Sequence, residues 1–184
     1  MGLDMYLYAE KYISGYEHRG TEMRKEYDTL VEMFDAKEFV DPETPSGNVN
    51  FVVAYWRKAN HIHNWFVSNV QEGVDDCKSY WVAREQLQEL LGTCQRVLAE
   101  TPRRKSVMTR ELHGPKGLVP TQVEEVTVLD TAIAEELLPT QSGFFFGNTE
   151  YDEWYIHDVE ETVKQLSRAL SMPEQWDFYY RASW

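Results

Sequence analysis

Cysteine is scarce. Two residues in 184, Cys77 and Cys94, cannot make a disulfide framework, and neither stands in a CxxC or Cys/His zinc spacing. They read as reduced, mostly buried thiols of a cytoplasmic protein. Basic residues are also few: 18 Lys+Arg face 31 Asp+Glu, for a formal net charge of -13. Phosphate neutralisation needs a basic surface, so this excess excludes a nucleic-acid binder for the chain as a whole. No apolar run reaches the ~18 residues that cross a bilayer. The opening Met1-Gly2-Leu3-Asp4-Met5 lacks the basic and apolar regions of a secretion signal, and Tyr6 stands where myristoylation favours Ser or Thr. The expectation is a chain with no membrane partner.

What is present suffices for a core without staples: 42% of residues are apolar and 14% aromatic. Leu3, Met5, Leu7 and Ala9 alternate with Asp4, Tyr6, Tyr8 and Glu10, the period of a half-buried strand. Trp176, Phe178, Tyr180, Ala182 and Trp184 repeat the pattern at the other end. These two terminal strands are expected to pair in one antiparallel sheet, where cross-strand aromatic contacts each add up to about 1 kcal/mol.

Helical spacing marks Thr21 to Phe34, about 84 to 99 and a last helix from near Thr149 or Tyr151 to Leu170, with a short helix from Asp130 or Thr131 to Leu138. Tyr55, Ala59, Ile62, Phe66 and Val70 also fall at helical intervals, predicting one helix over 55–70. Its opposite face carries Arg57, Asn60, His61, Asn64 and Ser68. Residues 41–48 read as a loop, and short strands are expected around 79–82 and 123–128. Between 101 and 122, Arg103, Arg104, Lys105, Arg110 and Lys116 gather among Gly and Pro, as in an exposed hairpin or loop. Thr149 and Asp152 have the spacing of a helix-starting capping box.

Three blocks, Met1 to Leu7 (MGLDMYL), Tyr55 to Asn60 (YWRKAN) and Leu138 to Gly147 (LPTQSGFFFG), are together specific, although none is singly. In them the chain resembles a family of uncharacterised phage, prophage and bacterial proteins. The resemblance implies a bacterial cell or phage-infected host as the setting, and implies no reaction.

Two places invite a ligand. Arg57, Lys58, Asn60 and His61 lie within about one turn of the 55–70 segment, where a guanidinium and an imidazole could grip phosphate or carboxylate. Trp56 and Trp65 on its flanks could stack on a flat ring. The competing reading is a solvated helix face. The second place is Ser142 to Gly147, a glycine-bracketed aromatic run that could wall a pocket with Phe145, Tyr151 and Asp152. It is no P-loop, since no Gly-Lys-Ser/Thr follows. It could equally be a buried turn, with Asp152 simply capping a helix.

Catalysis finds less support. His61 and His63, two apart on a helix, point about 200° from each other and cannot share an ion. His157-Asp158 resembles the dyad of metal phosphohydrolases, but only His61 or His63 and a distant Asp such as Asp177 could complete it. Gly-x-Ser-x-Gly is absent, and Asp75 and Asp76 disfavour a Cys77 thiolate. No catalytic residue, metal ligand or cofactor is therefore assigned.

The fold expected is α+β: one domain over 1–184, with a small, mainly antiparallel sheet including both terminal strands, packed on three to four helices. The function expected is a non-enzymatic, phage-type accessory protein binding a small anionic ligand such as a nucleotide, in the manner of a sponge for host signalling molecules. The alternatives are a small metal-dependent hydrolase of a phosphorylated substrate and an acidic inhibitor of a host protein. A homo-oligomer is compatible with each.

Overall fold

The structure, a computed structural model, describes residues 2–114 and 117–184. Its fold is α+β. The main sheet contains β1 (Asp4–Ser14), β2 (Ser46–Arg57), β3 (Tyr80–Val82) and β6 (Asp177–Ser183) in the order β2-β1-β6-β3, all antiparallel. The two strands nearest the chain ends are thus the centre of the sheet, with Leu7 opposite Tyr180 and Asp4 opposite Ser183. The alternating sequence explains the placement. Met5, Leu7, Ala9, Phe178, Tyr180 and Ala182 all turn to one face and are buried there, while Tyr6, Tyr8, Tyr179 and Arg181 turn to the other.

Helices cover the buried face. Five occur among the described residues: α1 (Thr21–Met33), α2 (Asn60–Asn69), α3 (Arg84–Glu100), the six-residue α4 (Ala132–Leu137) and α5 (Glu153–Leu170). Leu87, Leu90, Cys94 and Val97 of α3 meet the same core as Tyr155, Ile156, Val159 and Leu166 of α5. Ala83, which stands before α3, has no side-chain oxygen to cap it. The Gln86 amide oxygen supplies a return bond instead, accepting from Ala83 N at 2.9 Å. Cys94 is buried as expected, and burial pushes its thiol up to about 12; Cys77 is exposed, contrary to the reading from composition.

β4 (Arg103–Gly114) and β5 (Gly117–Val128) form a separate antiparallel pair. The basic segment is therefore one arm of a ribbon, and Val126 and Val128 at its base pack on the core. Lys116, Pro115 and the side chain of Arg110 lie outside the described residues.

Two segments depart from expectation. Residues 46–48 belong to β2 rather than to a loop, because the 11-residue β1 offers Tyr12, Ile13 and Ser14 as partners. The helix predicted over 55–70 is two elements. Tyr55, Trp56 and Arg57 end β2, and α2 begins only at Asn60. The apolar spacing across the break was shared by chance between strand and helix. What separates them is Lys58, held at φ +61, a left-handed conformation uncommon outside glycine.

β2 is an edge strand, and α5 covers part of its open side. Gln165 Oε1 accepts from Tyr55 N at 2.7 Å, and Arg168 Nη2 donates to Val53 O at 2.9 Å. A bulge between Leu7 and Tyr8 leaves Val53 without a partner on β1, and twists the strand there.

Candidate functional site

The break between β2 and α2 positions the site. Lys58 N donates to Leu3 O at 2.8 Å, and Leu3 N donates to Phe145 O at 3.2 Å. Asn60 completes the join. Its Nδ2 donates to Phe146 O at 3.0 Å and Asn148 O at 2.7 Å, while its Oδ1 accepts from Gln141 N at 3.0 Å. The three sequence blocks, far apart along the chain, therefore converge. One buried amide holds the 138–148 loop by three backbone groups.

The glycines that bracket the aromatic run serve different needs. Gly147 sits at φ +89 with its backbone against Lys58, whose Cβ would lie 3.2 Å from an added methyl group. Gly143 makes room: a Cβ there would fall 2.5 Å from the Phe146 ring, which is buried in the core. Of the other phenylalanines, Phe144 is 92% exposed and Phe145 is half-buried.

Above this join lies a cavity of about 330 Å³. Arg57, Lys58, Asn60 and His61 line it from the β2–α2 break. Thr140, Gly147, Asn148 and Glu150 contribute from the loop, and Trp154, Tyr155 and Asp158 from the first turns of α5. Trp154 and Asp158 stand four residues apart and so share a helix face. Asp152 fixes where that face begins, since its Oδ1 accepts from Trp154 N at 2.9 Å and Tyr155 N at 3.1 Å. Asp152 itself is the N-cap, so Thr149 lies in the loop and the expected capping box is not formed.

Electrostatically the cavity is divided. Among the described residues, Arg57 makes only a long contact with Asp4 (4.0 Å) and Lys58 has no ion pair. Asp158 is partly buried and its carboxyl likewise has no hydrogen-bond partner among them. Burial, reinforced by the nearby Asp152 charge and opposed by His157, pushes Asp158 up to about 6. His61 is 3% exposed, with its ring centroid 4.3 Å from that of Tyr155, and its Nε2 has no partner among the described residues. Desolvation lowers His61 to about 3, so the imidazole is neutral at pH 7. A buried polar atom without a partner carries a desolvation cost.

Four residues expected at a site, Arg57, Lys58, Asn60 and His61, thus meet at one cavity, and Asn60 and His61 are buried rather than on a solvated face. The others lie outside its lining. Trp56 is 3% exposed and its indole Nε1 donates to Thr162 Oγ1 at 2.8 Å; Trp65 is also buried, so neither ring is free to stack on a ligand. Tyr151 Oη accepts from Thr140 N at 3.2 Å, while Phe145 and Asp152 brace the loop and cap the helix. Trp154 carries no sequence signal of its own, and Asp158 stands out in the sequence only beside His157, as half of a metal-type dyad rather than as a wall of this cavity.

A second polar cluster is structural. His63 Nδ1 lies 2.8 Å from Tyr180 Oη and its Nε2 lies 3.0 Å from Asp75 Oδ1. Tyr180 stacks on Phe66 at 3.9 Å, and both rings are fully buried. Burial lowers His63 despite the Asp75 carboxylate. A neutral imidazole that accepts from the phenol and donates to Asp75 satisfies all three groups.

Among the described residues, no three His, Cys, Asp or Glu side chains come together in a group that could hold a metal ion, and no helix is long and apolar enough to cross a membrane. The chain matches no protein-family model, and no curated protein or solved structure is significantly similar to it.

Proposed function

We propose that the protein binds a small anionic ligand of mononucleotide size in this cavity and holds it without turning it over. The observation that carries the reading is the joining, in one cavity, of two cations that lack close carboxylate partners among the described residues. The volume is at the lower end of the ~300–1,000 Å³ usual for small-molecule sites. Arg57 offers a planar fork to a phosphate or carboxylate, and Lys58 a point charge beside it. Asn60 acts through the loop, since all its hydrogen-bonding groups already face backbone. In a phage or bacterial setting such a protein would serve as an accessory that sequesters a nucleotide-like molecule.

Thermal denaturation with inorganic pyrophosphate and with mononucleotides tests this. Ligand at a hundredfold excess over Kd adds about 2.7 kcal/mol of stability, which raises Tm by several degrees in a chain of this size. The double variant Arg57→Gln, Lys58→Asn should lose that rise while keeping its own Tm close to the wild-type value, because both side chains are exposed and Asn tolerates the left-handed backbone at 58. Absence of any shift with millimolar ligand, or an equal shift in the variant, would overturn the reading.

A further inference from the structure

The acidic side of the cavity narrows the ligand class. We propose that Asp158 is a specificity-determining residue, selecting a ligand that carries adjacent N–H donors opposite its anionic group, and that among mononucleotides the cavity therefore prefers guanine. This rests on the anion-binding reading above.

The argument starts from what Asp158 lacks. A carboxylate has two oxygens that only accept. Here they line a cavity, partly withdrawn from water, with no donor supplied by the protein among the described residues. A phosphate placed against Arg57 and Lys58 cannot satisfy them, because like charges repel. The partner must be a donor on another part of the same ligand. Guanine presents two donors side by side, N1–H and the 2-amino group, at the spacing of a carboxylate's two oxygens. Adenine and cytosine place a ring nitrogen lone pair next to their amino group, and uracil flanks its single N–H with carbonyls. Each of these sets an acceptor against one carboxylate oxygen, which is unfavourable.

Trp154 strengthens the assignment. It stands one helical turn before Asp158, lines the same cavity and is 65% exposed, so a flat ring held at Asp158 has an indole beside it. Trp56 and Trp65 offer no such surface.

The test compares GMP, IMP, AMP and inorganic pyrophosphate by isothermal titration calorimetry on the full chain. At pH 7 GMP should bind at least tenfold more tightly than AMP, a difference of about 1.4 kcal/mol. IMP, which keeps N1–H and lacks the 2-amino group, should fall between them. Asp158→Asn should bring GMP and AMP within about twofold of each other and still bind pyrophosphate, which also shows that the variant is folded. The GMP-to-AMP ratio should shrink between pH 7 and pH 5 as Asp158 takes up its proton; the shared phosphate cancels in that ratio. The charged and titratable groups around it are Asp152 and His157 on α5, Glu150 in the loop, and Arg57, Lys58 and His61 across the break. Equal binding of GMP and AMP by the wild type, or a GMP preference that survives Asp158→Asn, would overturn this proposal and leave anion binding standing if pyrophosphate binds. Failure of every ligand, pyrophosphate included, would overturn both.

Discussion

Asn60→Ala is expected to cost about 3 kcal/mol of stability and to abolish ligand binding together with it. The side chain holds Phe146 O, Asn148 O and Gln141 N, and all three bonds run to the loop that walls the cavity. Removing the amide leaves three backbone groups without their partner. Each unsatisfied buried group costs roughly 1–3 kcal/mol, and water will relieve the more exposed of them. In a chain of this length 3 kcal/mol lowers Tm by about 6–12 °C. Asn60→Asp is the informative companion. It keeps an acceptor for Gln141 N but turns a carboxylate oxygen toward two carbonyl oxygens, so it should be no more stable than alanine. Chemical denaturation of the three proteins checks this, and a fully stable Asn60→Asp would show that the amide's donor is not what holds the loop.

The second large effect is on acid stability. His61 is neutral when folded, with its ordinary value of 6.5 lowered to about 3 by burial. Below pH 6.5 the unfolded chain takes up a proton that the folded chain refuses. Stability therefore falls by up to about 1.4 kcal/mol per pH unit until the folded value is reached. His63, lowered in the same direction, adds to the loss. Asp158 acts oppositely. Raised from 3.8 to about 6, it binds a proton first in the folded chain, and so adds stability as pH falls from 6 to 3.8. In that window His61 and Asp158 nearly cancel. His61→Leu removes an imidazole whose Nε2 has no partner among the described residues, so it should be close to neutral at pH 7. At pH 4.5 it should retain about 2–3 kcal/mol more stability than the wild type, while Asp158→Asn should lose about 2 kcal/mol more. Denaturation curves at pH 7 and 4.5 give these differences directly. An acid profile of His61→Leu that matches the wild type would refute the account.

The sheet was legible because its two central strands alternate strictly, and only one face of the period could be buried. Helices α3 and α5 were legible for the same reason at their own period. The β2–α2 boundary was not. Val52 to Trp56 prefer a strand, yet Tyr55 also stands at helical intervals with Ala59, Ile62 and Phe66. The choice is made by Leu3 and by the pairing of β2 with β1, which no local window contains. The same holds for the site. Arg57, Lys58, Asn60 and His61 adjoin in sequence and could be found together, whereas Trp154 and Asp158 reach them only through the fold. The polar face imagined for a 55–70 helix was half right in its residues and wrong in its surroundings: Asn60 and His61 face protein.

The order of the sheet, β2-β1-β6-β3, also governs when the molecule can finish folding. During synthesis β1 and β2 can meet early, as a local antiparallel pair. The other side of β1 must wait for β6, which follows β2 by about 120 residues, and at ordinary rates of translation that interval is on the order of 10 s. Until then the apolar face of β1, with Met5, Leu7 and Ala9, lacks its neighbours Phe178, Tyr180 and Ala182, and one backbone edge of β1 stays open. β3 waits too, because β6 is its sheet partner. The nascent chain thus carries an exposed hydrophobic edge until β6 emerges and closes the centre of the sheet, the interval in which edge-to-edge association competes with folding.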